Sequence, residues 1–167
     1  MNKTNILLVS AGCALSLIAG GCTKEAQTVQ SQPGAVVTAP TATGPTACQV
    51  FNAELAGKYL GEVGAPNENN SPLVSNCTYS SAAGGITLLI KHSSAIEQEG
   101  AVTASKDLSG VEPEMVEGLG DKAYWSGGKL NQLNVFKGND WYIISAFMPG
   151  YGKDKAIEIM KDFLANS

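Results

Sequence analysis

The chain is expected to fold as α+β, with an antiparallel sheet of about five strands and helices packed mainly on one face, in the order α-β-β-α-β-β-β-α. Two observations predict this. Strand-like runs stand side by side with only tight turns between them, which suits antiparallel pairing. Other segments repeat apolar residues at helical spacing, some of them behind a capping-box sequence.

The first helix opens at Thr46-Ala47-Cys48-Gln49, where threonine and glutamine together satisfy amides that would otherwise be orphaned. Cys48, Phe51, Leu55 and Tyr59 follow at helical spacing, and Gly61 is the expected stop. GEVGAPNENNSP reads as turn material. NCTYSS and GITLLIKH, with AAGG as the separating turn, read as two strands of a hairpin. In its second strand Ile86, Leu88 and Ile90 share one face; Thr87 and Lys91 share the other, where Leu89 is expected to be partly covered.

Ser94-Ala95-Ile96-Glu97 is a second capping box, opening a weaker helix that ends near Leu108. After the loop SGVEPEMVEGLG come three strands, DKAYWS, LNQLNVFK and DWYIISAFM, with Gly127-Gly128 and Gly138-Asn139-Asp140 as turns. The last helix, Asp154 to Leu164, carries Ala156, Met160 and Phe163 as an apolar stripe joined by Ile157 and Leu164.

The N-terminal part is of another kind. A lysine at position 3 precedes a segment without charge from Asn5 to Gly21, ending in small residues, as an export signal does. Ala19-Gly20-Gly21-Cys22 resembles the lipobox of bacterial lipoproteins. That resemblance implies cleavage before Cys22, a diacylglycerol thioether on its sulfur and an acylated amine; Cys13 leaves with the signal. Several acyl chains anchor durably where one holds only marginally. Thr23 in place of an aspartate resembles default sorting to the outer membrane, facing the periplasm. Residues 23–45, TKEAQTVQSQPGAVVTAPTATGP, lack aromatic residues and helical periodicity and read as a flexible linker. Its random-coil reach is roughly 25–30 Å. The expected organisation is therefore a signal peptide over 1–21, a lipidated cysteine and linker over 22–45, and a globular domain over 46–167.

Composition narrows the function. The net charge is −4 and the chain contains no arginine, the usual bidentate reader of phosphate and guanine, so nucleic acid is not an expected partner. The single histidine, His92, reads as a strand-end residue, and no metal site or cofactor is expected. No nucleophile-elbow, zinc-protease, Walker or S-x-x-K pattern is present. Glu112, Glu114 and Glu117 form an acidic cluster without the alternating oxygen ligands of a calcium loop. GLGDK is followed by no helix on which a phosphate would sit. A non-catalytic role is expected.

Cys48 and Cys77 remain after the signal, and an exported compartment permits one bond between them. CQVFNAELAGKYLG, NCTY and VEGLGDKAYW together resemble segments of small bacterial lipoproteins of uncharacterised function. In those a cysteine opens a helix ending in Leu-Gly, a second begins a C-x-Y strand, and Gly-Leu-Gly-Asp leads to the last hairpin. The resemblance covers most of Cys48 to Leu164. It implies a disulfide-stapled α+β domain at the cell envelope and carries no activity.

Binding is the expected role. Tyr124-Trp125 and Trp141-Tyr142 each send one ring to either face of the sheet, and the outward rings form a possible contact surface for an envelope protein, a glycan or an apolar ligand. A structural accessory of a larger envelope assembly is the alternative. Cys22→Ala is expected to release the protein from the membrane fraction and abolish metabolic labelling with palmitate. Equal labelling of wild type and variant would refute the lipobox.

Overall fold

The computed structural model describes residues 44–92 and 95–167. Cys22, the linker up to residue 43 and Ser94 of the second capping box lie outside the described residues. The elements run α1 (Ala47–Val50), α2 (Ala53–Leu60), β1 (Asn67–Asn70), β2 (Val74–Ser81), β3 (Gly84–His92), α3 (Ala95–Ser109), β4 (Glu114–Val116), β5 (Lys122–Ser126), β6 (Gln132–Lys137), β7 (Asp140–Phe147) and α4 (Lys153–Ala165).

The expected sheet of five strands is corrected to seven, and the expected element order with it. All pairs are antiparallel, in the order β1-β2-β3-β7-β6-β5-β4. The two additional strands are the edges. β1 is NENN, exposed at every position, and β4 is EMV just after Pro113. Neither carries an apolar alternation; each is a strand because its neighbour offers a ladder of backbone partners, which sequence pattern does not report.

The single first helix is also corrected. Gln49 Oε1 accepts from the Thr46 amide at 2.8 Å, as the capping box requires. The helix nevertheless stops at Phe51, and Asn52 caps a second one, its side chain accepting from Leu55 N at 2.9 Å. The break lets Phe51 point into the core, fully buried, against Phe163 of α4 at 4.8 Å and Tyr79 of β2 at 5.1 Å between ring centroids. Gly61 ends α2 at φ 76°, its amide donating to Gly57 O.

Alternation assigns the two faces. Cys77, Ile86, Leu88, Ile144, Leu133 and Val135 point to an inner face covered by α1, α2 and α4. Helices are expected mainly on one face, and α3 is the one that packs on the other. The Ser105 hydroxyl of α3 bonds that of Ser126, which points opposite to Trp125, so α3 lies on the outer face, packed chiefly on β5. Among the described residues, no helix is long and apolar enough to cross a membrane.

Cys48 of α1 and Cys77 of β2 are bonded, with their Cα atoms 5.0 Å apart. The bond ties the first helix to the sheet across 29 residues of chain. A loop of that length is worth roughly 3.5 kcal/mol in the chain-entropy account. Replacing both cysteines with serine is expected to lower unfolding free energy by about 2–5 kcal/mol, read from urea denaturation. Alkylation of both thiols without prior reduction would show the bond absent from the exported protein.

Candidate binding surface

The two expected aromatic pairs divide between the faces as strand geometry requires, but both faces are covered where the first pair sits. Trp125 turns inward, 7% exposed, against Tyr151 at 6.0 Å. Tyr124 turns outward yet is 0% exposed, on the side where α3 packs, 6.0 Å from Phe136. Neither ring is available to a partner, which corrects the expectation for this pair. Tyr142 is likewise inside, 4% exposed. Trp141 is half-buried on the outer face; its Nε1 donates to Asn134 Oδ1 at 3.2 Å and its ring lies 5.4 Å from Phe136.

The outer face divides in two. Its β5–β6 half is closed by α3 over a polar chain in which Ser105 bonds Ser126, and Asn134 Nδ2 donates to Ser126 Oγ at 3.2 Å. The half made by β1, β2, β3 and β7 carries side chains that are half-buried or exposed. One cross-strand row there reads Asn67, Thr78, Thr87, Ser145 and Gln132. The next reads Asn69, Asn76, Leu89 and Ile143. Thr78 and Thr87 share a hydroxyl–hydroxyl bond of 2.9 Å. The Asn76 carbonyl oxygen is buried without a hydrogen-bond partner.

Phe147, at the end of this surface, is 70% exposed. It stands opposite Gly85, and a Cβ on that glycine would come within 2.5 Å of its ring. The ring therefore lies over a strand glycine, with its other side toward water. Sequence reasoning passed over Phe147; the signal was a glycine on β3 facing an aromatic residue on β7, which becomes visible only once the register is known.

The remaining chemical candidates are engaged structurally. His92 ends β3, as expected, with Nδ1 2.5 Å from Asp140 Oδ1. Glu112 pairs with Lys106 and Glu114 with Lys153, while Glu117 is exposed. In GLGDK, Leu119 is buried and Gly120, at φ 64°, backs onto the Phe136 carbonyl where a Cβ would collide. Asp121 Oδ2 accepts from Gly138 N at 2.6 Å, so the motif is a turn that delivers β5. An open depression of about 470 Å³ between α2 and α4 contains Lys58 and Asp162, bonded to each other. The Lys58 ammonium, and then the Tyr59 hydroxyl, hold the Asp162 carboxyl below its ordinary range. Among the described residues no cluster of three or more His, Cys, Asp or Glu is placed to hold a metal ion. Compared with protein-family models, curated proteins and solved structures, the chain matches none.

Burial pushes the Tyr124 phenol up to about 12, and its oxygen has no hydrogen-bond partner. The unfolded chain releases that proton near pH 10. The folded protein keeps it longer, so this site's contribution is intact below about pH 10 and is lost as pH rises toward about 12. Tyr124→Phe is expected to flatten that alkaline decline and, by removing an unpaired buried hydroxyl, to leave stability at pH 7 unchanged or higher by up to about 1 kcal/mol. Urea denaturation at neutral and alkaline pH measures both. A loss above about 2 kcal/mol at pH 7 would show that the hydroxyl is bonded in solution.

Proposed function

We propose that this protein is a lipid-anchored, non-catalytic binding module of the bacterial cell envelope, which presents the open half of its outer sheet face to a partner. The observation that carries the reading is the exposed Phe147 ring at the far end of the β3–β7 ladder from the start of the domain. Gly44 lies beside His92, which pairs with Asp140 at one end of that ladder; Phe147 pairs with Gly85 at the other. Seven residue steps separate the two ends, roughly 24 Å at about 3.4 Å per residue. A chain that enters the domain beside His92 therefore leaves the Phe147 end of the ladder clear of its own entry point. Exposed aromatic residues are frequent interface anchors.

The non-catalytic part of the reading is supported by the partners of the acid–base groups that the sequence singled out. The one imidazole is held by Asp140, and the glutamates of the acidic loop face lysines or water. The test is in-cell photocrosslinking with p-benzoylphenylalanine replacing Phe147 or, as a control on the helical side, Gln49. A defined adduct from position 147 and none from position 49 is expected. Equal adducts, or none from 147, would overturn the placement of the surface.

A further inference from the structure

The open half of the outer face has an unusual chemistry for sheet surface facing water. Beyond the row of Lys91 and Trp141, the outward positions of β1, β2, β3 and β7 carry no charged side chain. They offer hydroxyls and carboxamides, two half-buried aliphatic side chains, and the Phe147 ring. We propose that this face takes an extended, uncharged glycan strand; the inference rests on reading the face as the binding surface.

Each alternative ligand class fails on a specific count. An anionic ligand needs arginine or lysine for charge-assisted bonds, and this face supplies neither in its open rows. A wholly apolar ligand would cover Asn69, Thr87 and Ser145 without offering them hydrogen bonds, which is costly. An extended peptide gains its affinity by adding a strand to a free edge, and the edges here, β1 and β4, are only four and three residues long.

A polyhydroxyl chain matches what is present. Sugar hydroxyls both donate and accept, as do serine and threonine, while asparagine and glutamine carry donors and acceptors side by side. The Phe147 ring, lying over Gly85, offers a flat apolar side on which the C–H side of a pyranose can rest. Along β7, Phe147 and Ile143 are four residues apart on the same face, roughly 14 Å at about 3.4 Å per residue, a span that covers more than one sugar unit.

The test uses the purified full-length protein in detergent. Its probes are N-acetylglucosamine tetrasaccharide and maltotetraose, with tetragalacturonate as the anionic comparison, followed by saturation-transfer NMR and calorimetry. Saturable binding of a neutral tetrasaccharide is expected, with no competition from tetragalacturonate. Phe147→Ala and Thr87→Lys are each expected to weaken it by at least about tenfold, in variants that keep the disulfide and the wild-type melting transition. No binding of either neutral probe at millimolar concentration overturns the glycan assignment, as does binding undiminished in both variants. A defined protein adduct from position 147 without sugar binding overturns the glycan alone and leaves the binding surface standing. Failure of both experiments removes the surface as well.

Discussion

The ladder between β3 and β7 is the interaction on which the rest of this domain depends. It joins two meanders, β1-β2-β3 and β4-β5-β6-β7, that are otherwise each built from neighbouring hairpins. Its partners, Gly85–His92 and Asp140–Phe147, lie about half the domain apart in sequence, so their pairing closes a long loop before it returns contacts. Both ends carry a contact that suits this register: the His92–Asp140 pair at one, the Phe147 ring over Gly85 at the other. A slip of one residue would turn Ile86, Leu88 and Ile90 out of the core and put Thr87 and Lys91 in.

From that seam the two faces diverge. The inner face is closed by α1, α2 and α4, with Phe51 at their meeting point and the Cys48–Cys77 bond pinning the first helix in place. The outer face is closed only where α3 lies, over the rings of Tyr124 and Phe136 and a hydrogen-bonded chain of Ser105, Ser126, Asn134 and Trp141. Such a chain specifies where α3 sits through satisfied donors and acceptors, since its members would be costly if left unpaired. The half of that face made by β1, β2, β3 and β7 stays without a covering helix among the described residues.

Charge is placed at the periphery of this design. Lys58 with Asp162, Lys106 with Glu112 and Lys153 with Glu114 tie helices and loops to their neighbours at the surface, where such pairs contribute little individually and are screened by salt. The open rows of the outer face are free of charge.

Sequence by itself determined the elements whose signals are local. The β2–β3 hairpin, the three strands from β5 to β7, the C-terminal helix and the cysteine pair were all legible, because period, turn chemistry and cysteine number are properties of short stretches. Tertiary structure decided the rest. NENN and EMV are strands because β2 and β5 lend them backbone partners. Phe51 breaks the first helix because the core offers its ring a place between Tyr79 and Phe163. That Tyr124 and Trp125 face opposite sides was readable, but only the register turned Trp125 inward and Tyr124 outward, only the position of α3 buried the second, and only the register set Phe147 over Gly85 in water. Alternation says which side of a strand a residue faces. What covers that side is settled by elements distant in sequence, through packing that no local pattern encodes.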